Sequence, residues 1–133
     1  MRRTAYATAL LLLAGACQAE IGDECDYDIE CSSAGDRNCD RGQPDGYCLI
    51  IGCDPDSCPE EAVCVEFLTP CPEGTEEDLC RQIEPNRGRS YCLKHCGSGE
   101  DCRSGYACTD PYDLYATIID LAPEGSRICV PDV

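Results

Sequence analysis

The chain has 133 residues, 26 of them acidic, 10 basic and 15 cysteine, with a formal net charge of −16. That size allows one or two small domains, and that cysteine content belongs to the disulfide scaffolds of exported proteins. So acidic a chain excludes nucleic acid as a partner and excludes electrostatic attraction to anionic lipid, since both need a basic patch.

The first residues carry an export signal. Met1-Arg2-Arg3 is a short basic start, Ala5 to Ala14 an apolar run containing Leu10 to Leu13, and Ala14-Gly15-Ala16 a set of small residues before Cys17; this pattern is a signal peptide over residues 1–16. No later run approaches the roughly 20 apolar residues of a membrane-spanning helix. The end of the segment, LLLAGAC, resembles a bacterial lipobox, whose cysteine is acylated and becomes the mature N-terminus; Ala14 stands where that pattern has Leu. The resemblance makes Cys17 the lipidated residue of a cell-envelope lipoprotein, and Gln18 rather than Asp at the next position is consistent with sorting to the outer membrane; cleavage after Ala16 or Ala19 would instead give a secreted protein. Fifteen cysteines are odd in number, and setting Cys17 aside leaves fourteen that can all pair.

Loss of Arg2 and Arg3 with the signal takes the formal charge of the mature chain to −18. From Glu20 onward Leu, Ile, Val and Phe number nineteen, under a fifth of the residues. A cysteine-free chain of that composition would stay disordered, so covalent cross-links have to replace most of a hydrophobic core.

After the lipidated residue and tether, residues 17–24, Cys25 to Cys39 has a C-x5-C-x7-C frame with a loop at Ser32 to Asp36. Gln43-Pro44-Asp45-Gly46 is a tight turn, because Pro presets φ and Gly accepts positive φ. Tyr47 to Ile51 follows as a short strand. Ala62 to Leu68 is a second strand, alternating Val63, Val65 and Phe67 with Cys64 and Glu66, and the two are expected to form one hairpin. Thr69-Pro70-Cys71-Pro72-Glu73-Gly74 is a composition break, which divides a first cysteine-rich module, residues 25–71, from a second, residues 72–133.

In the second module Thr75 caps a two-turn helix reaching about Gln82. Glu84 to Ser90 is a polar loop, Tyr91 to Lys94 a strand, and Gly105 to Cys108 its return. Asp110-Pro111 starts a helix, with Tyr112, Tyr115, Ile118 and Ile119 at helical spacing and Pro123-Glu124-Gly125 at its end. Arg127 to Val130 is a closing strand.

Tyr91 to Cys108 duplicates the layout of Tyr47 to Cys64: Cys48/Cys92, Cys58/Cys102 and Cys64/Cys108 are each 44 apart, and Cys53/Cys96 is one short. The frame EDCRSGYAC, with RICVP after it, resembles the small cysteine-rich modules of myxobacterial-type surface lipoproteins and, loosely, Dickkopf N-terminal regions and whey-acidic-type knots. The resemblance implies a small disulfide-rich fold of two tandem knotted modules, with short β-hairpins, one or two short helices and little core. It implies binding or structural modules, with no functional residue to carry over. Knots of this kind cross first to third and second to fourth cysteine. Applied here, that gives Cys25–Cys39 with Cys31–Cys48, Cys53–Cys64 with Cys58–Cys71, and Cys96–Cys108 with Cys102–Cys129, leaving Cys80–Cys92.

No catalytic constellation is present. His95 is the lone histidine, and nucleophile elbow, phosphate-cradling Gly loop, HExxH and C-x-x-C are all missing. The cysteines are expected as disulfides rather than zinc thiolates. The acidic clusters at Asp23 to Asp28 and Asp54 to Asp56 fit no EF-hand and read as solvated turns. No enzyme activity, cofactor or metal is therefore expected, and the membrane is met through the lipid anchor alone. The expected function is that of an anchored, exported binding or structural protein, with Tyr112 and Tyr115 as the place where a protein partner would bind. The alternative is an inhibitor of a secreted protease, acting through Arg87 and Arg89 of the 84–90 loop.

Overall fold

Seven disulfides join all fourteen cysteines of residues 18–133, and six of them follow one rule three times. In each quartet the first cysteine bonds the third and the second bonds the fourth: Cys25–Cys39 with Cys31–Cys48, Cys53–Cys64 with Cys58–Cys92, and Cys96–Cys108 with Cys102–Cys129. The computed structural model that shows this describes residues 18–85 and 87–133. The signal peptide and the lipidation expected at Cys17 lie outside the described residues.

The rule has a geometric basis in strand pairing. Cys39 on β1 (Asn38–Cys39) is opposite Cys48 on β2 (Cys48–Ile51), and Cys64 on β3 (Ala62–Phe67) is opposite Cys92 on β4 (Ser90–Cys96). Cys108 on β5 (Tyr106–Thr109) is likewise opposite Cys129 on β7 (Arg127–Pro131). Directly opposed residues of an antiparallel pair project from the same face, so both sulfurs of each pair leave together. The segment ahead of each opposed pair carries the first and second cysteines, with Cys31 at the end of a short helix and Cys96 at the end of β4, and folds back to meet them.

All pairing is antiparallel, in the order β1-β2-β4-β3-β6, where β6 is Ala116–Ile118, and β7 joins β4 to β5. Two short α-helices, α1 (Asp28–Cys31) and α2 (Glu77–Ile83), and two 3-10 turns, Gly99–Asp101 and Pro111–Leu114, complete the described structure. This is the small disulfide-rich class that the composition implies. The division into two modules is not what the strands show. β4 lies between β2 and β3 and pairs with both, and Cys58–Cys92 crosses the proposed break at residues 71 and 72.

Two of the expected disulfides are accordingly corrected: Cys58–Cys71 and Cys80–Cys92 give way to Cys58–Cys92 and Cys71–Cys80. The middle quartet receives its fourth cysteine only after a long insert, and that insert closes its own cysteine pair, nine residues apart. The hairpin expected between Tyr47–Ile51 and Ala62–Leu68 does not form for the same reason, because each strand pairs with the one carrying the opposed cysteine of its own quartet.

Smaller differences follow from local competition. The helix expected after Asp110 is one 3-10 turn, Pro111–Leu114; Asp110 caps it by accepting from the Tyr112 N–H at 3.0 Å. The chain then enters β6, where the β-branched Thr117 and Ile118 take the open edge of β3. In α2 the N-cap position is Glu76 rather than Thr75, with no side-chain cap bond. The tether is shorter than residues 17–24: Ile21 is fully buried, Gly22 donates to the Cys48 carbonyl at 2.8 Å, and Cys48 donates back to Asp23 at 2.9 Å.

The alternation of β3 places Val63 opposite Leu93 and Val65 opposite Tyr91, making one apolar sheet face. Its core joins Leu49, Val63, Val65 and Leu93 to Ile21, Tyr47, Tyr106 and Ile128. The Tyr47 and Tyr106 rings lie 5.5 Å apart, and Arg103 sits 4.3 Å over the Tyr106 ring. Arg37, 3.1 Å from Glu61, bonds the Ala19 carbonyl as well, and Glu61 accepts from the Ile21 N–H, which ties the N-terminal segment to the first two quartets.

Candidate functional site

Between the third and fourth cysteines the first quartet needs only residues 40–47 to connect its strands. The second uses residues 68–89 and the third residues 110–126, so two inserts interrupt an otherwise regular frame. They meet at one edge of the sheet. β6, within the second insert, pairs with β3 through Ile118 opposite Val65 and Ala116 opposite Phe67, and Leu68, which opens the first insert, donates to the Tyr115 carbonyl at 2.6 Å.

Polar groups fix the second insert in place. The Asp120 carboxylate accepts from the Asp56 and Cys64 N–H groups, both at 2.6 Å, and Asp56 accepts in return from Leu121 at 3.1 Å. Tyr115 is held in the left-handed region, φ 52° and ψ 43°, a conformation that a bulky residue adopts at a cost and keeps only where its surroundings enforce it. Its carbonyl bond to Leu68 and its N–H bond to Tyr112, at 3.2 Å, supply that enforcement.

The sequence-predicted residues Tyr112 and Tyr115 lie on this face with 84% and 62% of their surface exposed. They line a cleft of about 710 Å³ with Leu68, Asp110, Asp113 and Asp120, and no basic side chain borders it. Leu79 and Ile83 of α2 and Leu121 are exposed on the same two inserts. Of the ten large apolar residues exposed among the described residues, six belong to the inserts. Leu68, Leu79 and Ile83 were not singled out by the sequence. The signal that finds them is the late fourth cysteine of the middle quartet, which marks residues 68–89 as an insertion.

Other candidate groups are occupied by the fold. His95 lies on β4 opposite Ile128, with its N–H donating to the Glu61 carbonyl. Each set of three cysteines whose sulfurs lie within 4.8 Å of one another consists of disulfide-bonded residues, so none offers a thiolate to a metal. In the acidic clusters Asp23 accepts from Glu20 N–H, Asp28 from Cys39 N–H and Asp56 from Leu121 N–H. Glu30 accepts from Asp26 and Tyr27, and Asp101 from Gly97 and Ser98; these N–H groups hold both carboxyls below their ordinary range. In the 84–90 loop Arg89 is exposed, whereas Arg87 is turned inward onto the Cys71 and Cys80 sulfurs.

No family model matches the chain, and neither a curated protein nor a solved structure matches it.

Proposed function

We propose that this is an exported, lipid-anchored binding protein of the bacterial envelope, built as a threefold repeat of one cysteine quartet whose two inserts form the recognition face. The observation that carries the proposal is the meeting of the two inserts, where exposed Leu68, Tyr112 and Tyr115 line one cleft. Loops held by a rigid scaffold are where binding function concentrates, exposed apolar patches mark interaction surfaces, and Tyr is a favoured anchor in them. Two acyl chains or more at Cys17 would exceed the single-chain threshold for marginal attachment and hold the protein at a membrane.

The test uses the oxidised ectodomain, residues 20–133, as bait in a detergent extract of the producing cell's envelope. Capture that survives Tyr27→Ala, a change away from the inserts, but is lost in the Tyr112→Ala, Tyr115→Ala double variant at unchanged thermal stability would support the proposal. Equal capture by both variants would contradict it. Stoichiometric inhibition of trypsin would move the function to the exposed Arg89. Cys17→Ser should release the full-length protein from the membrane fraction, and a wild type already soluble with Glu20 as its first residue would refute the anchor.

A further inference from the structure

Cys71–Cys80 stands outside the quartet frame. Each of the other six bridges holds at least one cysteine on a paired strand, and those strands carry the core. Cys71 lies on no strand, and Cys80 is on the two-turn α2, so this bridge can open without parting any strand pair.

The second observation is electrostatic. The Arg87 guanidinium bonds the Cys71 sulfur through Nη1, and the same nitrogen lies 3.4 Å from the Cys80 sulfur. Glu77, at 4.0 Å from Arg87 and more than half exposed, is too distant and too well solvated to neutralise it fully. A neutral disulfide gains little from a permanent cation at both sulfurs, whereas thiolates gain a great deal, so Arg87 favours the reduced state and stabilises the leaving group of the exchange reaction.

We infer that Cys71–Cys80 is a thiol–disulfide exchange site for a dithiol reductant. One thiolate of the dithiol attacks the sulfur of half-buried Cys71 rather than that of fully buried Cys80. The new bond forms to Cys71, the Cys71–Cys80 bond breaks, and its electron pair leaves on Cys80 beside Arg87. The second thiol of the reductant loses its proton to solvent and attacks the mixed disulfide at the reductant's own sulfur. Cys71 leaves as a thiolate next to the same guanidinium. The dithiol ends as its disulfide, two electrons pass to the bridge, and solvent supplies whatever protons the two sulfurs take up.

The experiment equilibrates the oxidised ectodomain in dithiothreitol buffers of graded reduced-to-oxidised ratio at pH 7, traps free thiols with N-ethylmaleimide, and assigns them by peptide mass spectrometry. Cys71 and Cys80 should be labelled together at a ratio at least tenfold below that which opens any other bridge. Arg87→Met, which keeps most of the length and removes the charge, should move that midpoint to a several-fold more reducing ratio, and Arg87→Lys should restore part of the shift. Simultaneous opening of all seven bridges, or earlier opening of another, overturns the inference in the wild type alone, whether or not the variants fold. An Arg87→Met midpoint equal to that of the wild type also overturns it.

Discussion

Gly46 shows how closely one residue can bind a turn to a disulfide. It sits at φ 70° after Asp45 at φ 56°, and a Cβ added there would fall 1.8 Å from the Cys25 carbonyl oxygen. Gly46→Ala should therefore destabilise by more than about 3 kcal/mol, seen as failure to recover oxidised monomer on refolding; full recovery would contradict the close approach. Tyr47 makes a different demand. Its buried hydroxyl donates to the Cys129 carbonyl at 3.2 Å and accepts from the Lys94 N–H at 2.9 Å, and burial pushes its phenol up from 10.0 to about 12. Tyr47→Phe leaves both backbone groups without that partner and should cost about 1–3 kcal/mol in urea unfolding. The raised value means that the folded state favours the neutral phenol. That stability is fully present below pH 10 and is lost as pH rises towards 12, so the denaturation midpoint should fall over that window in the wild type and less in Tyr47→Phe. For Glu30 and Asp101 the sign is opposite: their lowered values add stability above the ordinary carboxylate range, and it disappears as pH falls through them. The Gln43 to Gly46 turn was legible because Pro and Gly carry their own backbone preferences. That Gly46 faces Cys25 was not, since a sequence does not say what lies across a turn.

Among the elements, strands flanked by regularly spaced cysteines and the two-turn helix α2 were legible, and the 3-10 turn and strand of the second insert were not. β3 alternates Val63, Val65 and Phe67 on one face as its pattern predicts, because a strand's side-chain period is local. The segment after Asp110 satisfies both a helical spacing and, at Thr117 and Ile118, a β preference. The unpaired edge of β3 decides between them, and that edge is a tertiary fact. The misassigned disulfides have the same origin, since only the position of β4 shows which cysteine closes the middle quartet. The two bridges should therefore differ in what they contribute. Cys58–Cys92 closes a separation of 34 residues and Cys71–Cys80 one of 9. In the chain-entropy model these contribute about 4 and about 2.5 kcal/mol respectively. Urea titration of the Cys58→Ser, Cys92→Ser and Cys71→Ser, Cys80→Ser double variants should show the larger loss in the former, and the reverse order would contradict the assigned topology.

At the scale of the whole molecule, a chain with a formal charge of −16 and few aliphatic residues gains one continuous sheet by placing every fourth cysteine of a quartet opposite its third. A break at residue 72 looked like a module boundary because Pro and Gly cluster there, yet it is the entry to an insert within the middle quartet. The bond that makes the difference is Cys58–Cys92. Its most direct test is a non-reducing digest with trypsin, Asp-N and Glu-C proteases, which isolates residues 56–60 and 90–94 as separate peptides, followed by mass spectrometry. The predicted result is one cross-linked species joining the Cys58 peptide to the Cys92 peptide. Cys92 linked to Cys80, with Cys58 linked to Cys71, would contradict the three-quartet architecture and restore two separate modules.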